Sequence, residues 1–231
     1  YNPNVTLDTT FDADGIVTTS VGSGHSNIVD IAIQKDGKII AAGSSSNGSN
    51  DDFTVVRYNA NGSLDTTFDL DGIATKPVFS GSDLAASVAL QSDGKIVLAG
   101  QANNGTFTEI AVVRFENDGS LDTSFGGDGI VTTAIGTGHS QARSVVIQSD
   151  DKILVSGWGT FGSNSNYIVV RYNPDGTLDS SFRSASSAEI FGNGGIASVD
   201  LRNSDLNPVM NLQSDEQIVL SGTSSGLIGL A

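Results

Sequence analysis

The sequence predicts an all-β chain of the propeller class, and three observations carry that prediction. The first is a repeat. Leu7, Leu64, Leu121 and Leu178 are spaced by 57 residues, and the same step relates Phe11, Phe68, Phe125 and Phe182. Gly43, Gly100 and Gly157 follow it, as do Arg57, Arg114 and Arg171. The second is composition: 28 glycines against 4 prolines, with 38% hydrophobic residues, describes a folded, turn-rich chain. The third is that the runs at 39–42, 96–99 and 153–155 are apolar on consecutive positions, as in strands buried on both faces. Four-stranded units of this length cannot bury their own faces and stack radially as blades.

Each copy supplies its elements in a fixed order. "DIAIQ" is the first strand, and "KDGK" is a hairpin turn leading into the second, "KIIAAG". A variable loop follows, then "FTVVRYN" as third strand, an Asx/Gly turn, and "GIATK" as fourth. The chain thus reads as one domain, 1–231, built from repeats 1–57, 58–114, 115–171 and 172–231.

The combination of "RYNANGSLDTTF" and "GGDGIVTT" with "QSDGKIVLAG" resembles the delta-60 repeat, and the resemblance covers essentially the whole chain. It implies a propeller-like fold in a large exported or surface-associated bacterial protein, and it implies no particular activity. Departures are Val5, where the other copies have Gly62, Gly119 and Gly176, and "RSASSAEIFGNGG" in copy four. A start at Tyr1 rather than Met reads as a mature product or a fragment. The two ends are in register with the repeat. Residues 16–19 therefore either complete the last blade beside residues 227–231, closing a four-bladed ring, or the chain is a segment of a larger propeller. In the second case the open strand edges invite self-association.

With 26 acidic against 11 basic residues, the net charge of -15 leaves no Lys/Arg stripe to track phosphates, so nucleic acid is not expected as a partner. No apolar run is long enough for membrane insertion. Calcium, glycans or another surface protein suit the acidic balance better. Cysteine is absent, which removes disulfides and thiolate metal sites from consideration.

The acidic motif "GSLDTTFDLDG" raises the question of calcium. Asp8, Asp65, Asp122 and Asp179 recur in every copy, so their expected work is structural: accepting loop N–H groups or pairing with the repeated arginine. The non-repeated pairs Asp12 with Asp14 and Asp69 with Asp71 remain as calcium candidates, each a partial shell of the six to eight oxygens calcium takes.

Function is expected where the copies differ. The segments entering the first strand share "GHS" in copies one and three and "SDL" in copies two and four. His25 and His139 are therefore expected to face each other across the axis, with Asp83 and Asp205 in the other quadrants, a ligand set suited to a divalent transition metal. The loops between second and third strands are aperiodic. Trp158, Phe161 and Phe107 in them are candidates for stacking on a sugar ring, and Arg143 for an anionic group. No HExxH, GxSxG, Walker or Rossmann signature is present. These features favour a non-enzymatic extracellular scaffold that binds a ligand or partner through one loop face. A polysaccharide hydrolase or lyase, and a purely structural segment of a surface protein or fibre, are the alternatives.

Overall fold

The structure is a computed structural model that describes residues 1–182, 194–199, 205–224 and 227–230. Its first sheet contains β1 (Ser26–Ile33), β2 (Ile39–Ser46), β3 (Asp51–Tyr58) and β4 (Ile73–Lys76). The second contains β5 (Leu84–Leu90), β6 (Ile96–Asn103), β7 (Thr108–Phe115) and β8 (Ile130–Thr133). The third contains β9 (Ser140–Ile147), β10 (Ile153–Phe161), β11 (Asn164–Tyr172) and β12 (Ile196–Val199). The fourth has three strands, β13 (Asp205–Leu212), β14 (Ile218–Ser224) and β15 (Leu227–Leu230). Every sheet is an antiparallel meander in sequence order. Among the described residues no helix is long and apolar enough to cross a membrane.

Consecutive apolar residues in the middle strands divide between two cores, as double-sided burial requires. Ile96 and Leu98 of β6 join Ile40, Val55 and Phe68 of the first blade, while Val97 and Ala99 join Ile153, Val155 and Phe125. Each interior sheet is thereby cemented to both neighbours. The first strands β1, β5, β9 and β13 contact one another in series and are innermost.

Among the described residues the substantial strand contacts run between consecutive blades, and the sheets do not close into a ring. Closure of a four-bladed ring within the chain, one of the two expected arrangements, is therefore not found. Residues 16–19, expected as a strand, form none. Val17 and Val21 instead lie against Ala41, Val56 and Tyr58 of the first blade, and Tyr58 Oη donates to Thr19 Oγ1 at 2.7 Å.

The repeated glycines of the second strands have a specific task. Gly43, Gly100 and Gly157 pair with Ile28, Ala85 and Ala142, and each innermost strand bulges immediately afterwards, at Ile28/Asp30, Ala85/Ser87 and Ala142/Ser144. A side chain on any of these glycines would meet the carbonyl of Asn27, Leu84 or Gln141. The absence of a Cβ lets that carbonyl turn inward, so one extra residue per blade is pushed out of the ladder: Val29, Ala86 and Arg143.

Candidate functional site

Two classes of polar residue must be separated before a site can be recognised. The repeated class is engaged between blades. Arg57 Nε donates to Asp65 Oδ2 at 2.7 Å, and its guanidinium lies 4.7 Å from the centre of the Phe68 ring. Its Nη1 donates to the Asn117 carbonyl of the next blade. Arg114 repeats this with Asp122 at 2.6 Å, Phe125 at 4.6 Å and the Pro174 carbonyl at 2.6 Å. Arg171 pairs with Asp179 at 2.8 Å over Phe182. Asp8 binds the Thr10 hydroxyl and N–H, and no arginine reaches it among the described residues.

Burial alone would raise the carboxyls of Asp65 and Asp122. The hydroxyl and N–H of Thr67 or Ser124, the ammonium of Lys38 or Lys95 and the arginine outweigh it and hold both well below the usual range. At Asp179 the Ser181 hydroxyl, then the Ser181 N–H, Arg171 and Lys152, bring the carboxyl down to about 2 against the cost of burial. The sign follows: folded values below the unfolded ones give stability that is complete above about pH 4 and is lost as pH falls through the folded values. Asp83, raised by burial, works in the opposite direction and offsets only part of the loss. Urea midpoints measured from pH 7 down to pH 2 should therefore fall steeply below pH 4, with Asp179 alone accounting for about 2 kcal/mol.

The expected calcium pairs divide their oxygens in the same local way. Asp14 accepts the Ile16 N–H at 2.8 Å and Asp71 the Ile73 N–H at 2.9 Å, while Asp69 lies 3.7 Å from Lys76 Nζ. Asp12 and Asp69 adopt left-handed φ of 45° and 42°, and their N–H groups bond the carbonyls of Asn61 and Asp118 in the next blade's turn. These loops clasp neighbouring blades.

The histidines are not brought together. His25 Nε2 lies 3.1 Å from Asp51 Oδ1 of its own blade, whereas His139 Nδ1 accepts the Thr108 N–H at 3.1 Å from the second blade. That bond places the His139 proton on Nε2. Asp83 is fully buried. Its oxygens accept the N–H groups of Val78 (2.7 Å), Phe79 (2.9 Å) and Asn103 (3.1 Å), so it pins a loop instead of facing the axis. The Asp205 side chain lies outside the described residues. Among the described residues no three histidines or carboxylates converge to hold a metal ion.

The aromatic candidates also separate. Trp158 and Phe161 belong to strand β10 and not to a loop, because the hairpin to β11 is as tight as Gly162–Ser163. Trp158 is half-buried with its indole N–H unpaired among the described residues, and Phe161 packs on the core beside Ile135. Phe107 alone is exposed, standing edge-on to His139 with centroids 5.4 Å apart.

The non-repeated polar residues do meet elsewhere. A groove of about 560 Å³ opens where the innermost strands begin, bounded by the displaced Val29, Ala86 and Arg143. His25, Asp51, Asn27, Gln101 and Gln141 complete its polar wall. Arg143 is exposed and has no hydrogen-bond or ion-pair partner among the described residues, and Gln101 Oε1 is buried without one. The amides Asn27, Gln101 and Gln141 were missed in the sequence. The interior strand glycine opposite each bulge was the available signal. A second groove, about 590 Å³, lies at the other end of the same strands; there the amide N–H groups of Gln91 and Gln148 donate to Asp151 and Glu216 of the following blades, while Gln34 Oε1 and Gln148 Oε1 are buried without a partner among the described residues.

Three segments, 34–68, 91–125 and 148–182, match the family described as "Domain of unknown function (DUF5122) beta-propeller". Each runs from a repeated glutamine to the phenylalanine under the arginine. No curated protein matches the chain in sequence. Among solved structures it is similar to a protein of unknown function from Bacteroides caccae, at 12% identity and a TM-score of 0.51. The match covers 95% of this chain and 61% of that one, so the chain spans about three fifths of its neighbour's length. At this identity the likeness is one of fold. The chain is an all-β repeat protein of the propeller type.

Proposed function

We propose that the chain is a non-enzymatic, extracellular scaffold of the delta-60 type that binds a hydroxyl-rich, uncharged ligand such as a glycan in the groove at Arg143. One observation carries the reading: the repeated arginines and aspartates are consumed in holding blades together, whereas Arg143 and amides from three blades gather in that groove, where Arg143 and Gln101 Oε1 have no partner among the described residues. Its volume falls within the range of small-ligand sites. Amide, guanidinium and carboxylate groups together offer the alternating donors and acceptors that sugar hydroxyls need. A charge of -15 favours a neutral polymer over an acidic one.

Polysaccharide cleavage would require a carboxyl held above its usual range at the mouth. Asp83, raised by burial, spends both oxygens on backbone N–H groups, and no feature of the groove favours that alternative. An array of neutral and acidic glycans, probed with wild type and Arg143→Ala, tests the proposal. Retention of neutral glycans by wild type and weakening by tenfold or more in the variant are expected. Equal binding by both proteins would remove the groove from the account.

A further inference from the structure

The groove at the far end of the innermost strands is built from the turns that follow β1, β5 and β9. Ile33, Leu90 and Ile147, at one position of the repeat, supply its apolar lining, and the turns supply a polar rim. The junction of the first two blades carries its own cation. Lys35 Nζ donates to the Ser92 carbonyl of the following turn at 3.2 Å. At the junction of the second and third blades the repeat changes twice. Serine stands at 92 in place of lysine, and aspartate stands at 151 where the first two copies have Gly37 and Gly94. One cation is lost and one anion gained at the same place.

Asp151 holds a left-handed φ of 61°, a conformation suited to the glycines it replaces, which have φ of 85° and 93°. Its carboxylate accepts the Ser92 hydroxyl at 3.2 Å and forms no ion pair among the described residues. Asp93, also in the groove, is equally without a cation, because Lys95 is committed to Glu116 and Asp122. The corresponding Asp36 and Asp150 each have a lysine of their own turn, Lys38 at 3.8 Å and Lys152 at 2.8 Å.

A second, independent observation concerns uncharged acceptors. Gln34 lines the groove and is only 9% exposed; its Nε2 donates to Asn117, and its Oε1 has no partner among the described residues. Gln148 Oε1, in the same groove, is likewise buried and unpartnered. Carboxylate and amide oxygens accept hydrogen bonds, so the ligand that suits them is a donor. Among the described residues no three carboxylates converge as a metal ion requires, whereas an ammonium needs only acceptors spread around its three N–H groups.

We propose that this groove binds an aliphatic di- or polyamine, one ammonium held by Asp151 and Asp93 and the methylene chain lying along Leu90 and Ile147. The Gln34 and Gln148 carbonyls accept from its further N–H groups. Charge complementarity supports this ligand: the chain carries -15 overall, and Lys35 performs the same chemistry internally one blade earlier. The site is separate from the groove at Arg143 and takes a different class of ligand.

Titration calorimetry with cadaverine and spermidine tests the proposal, with the diol analogue pentanediol and magnesium as comparisons. Both amines should bind, the diol should not, and magnesium should bind more weakly than spermidine. Asp151→Gly installs the residue of the first two copies and relieves the left-handed backbone, so far-ultraviolet circular dichroism should be unchanged while cadaverine binds about tenfold more weakly or worse. Ser92→Lys, which supplies at this junction the ammonium that Lys35 supplies at the previous one, should block the amine. Arg143→Ala should bind amines as wild type does, which keeps this outcome distinct from that of the glycan array. Failure of both amines to bind, equal binding by Asp151→Gly or Ser92→Lys, or a preference for magnesium or the diol would overturn the proposal.

Discussion

Replacing Arg114 by alanine should lower the stability of the chain by about 3–5 kcal/mol, because it leaves the carboxylate of Asp122 buried beside a vacated site. Asp122 is 2% exposed, and Lys95 at 3.0 Å with the Ser124 hydroxyl at 2.6 Å and N–H at 2.9 Å remain to hold it. The same change removes the guanidinium from the Phe125 ring and breaks the bond to the Pro174 carbonyl, so the second and third blades lose a tie as well as a charge pair. For a domain of this size the loss corresponds to a melting temperature lower by roughly 10 °C or more. Differential scanning calorimetry checks it. Arg114→Lys should recover only part, since an ammonium cannot stack on the ring and bridge carboxylate and carbonyl in one plane.

Gly100→Ala should cost about 3 kcal/mol, in spite of adding a single methyl group. The new Cβ would drive into the Leu84 carbonyl and the Ala85 backbone, neither of which is a flexible side-chain end, so β5 must move away from β6. The consequence reaches the groove, because the bulge that follows Ala85 carries Ala86 into its wall. Urea denaturation measures the cost. Gly105→Ala, where a Cβ meets nothing within 4 Å, is the control; it should cost only about 1–2 kcal/mol of left-handed backbone strain at φ 93°.

Much of this architecture was legible in the sequence because one period wrote it four times. The step of 57 residues gave the strand order, the loop between third and fourth strands, and the pairing of each arginine with the following aspartate. Consecutive apolar residues in the second strand predicted sheets packed on both faces, as Ile96 to Ala99 show. Other features depended on geometry that no local pattern encodes. "GWGTFG" reads as a loop by its glycines, yet Gly157 and Gly159 lie in β10, the first against the Gln141 carbonyl and the second against the Ile135 side chain, each too close for a Cβ. Asp83 reads as a mouth carboxylate, and only the folded path of 78–83 turns it inward onto three N–H groups. Whether the ends meet depends on the small rotation between blades, set by packing volumes across each interface and accumulated over the arc. The groove was half legible: Arg143 stood out as a lone cation, while its amide companions come from three blades and converge only through the bulges.

The central claim is that repeated residues hold the blades and bulge-displaced residues face the ligand. Side-chain amide and arginine resonances, followed by nuclear magnetic resonance while a neutral oligosaccharide selected by the array is added, test it most directly. Shifts at Asn27, Gln101, Gln141 and Arg143, with the amides of Gln34, Gln91 and Gln148 at the far end unmoved, are predicted. Shifts confined to the far end, or to the loops around Asp14 and Asp71, would contradict it.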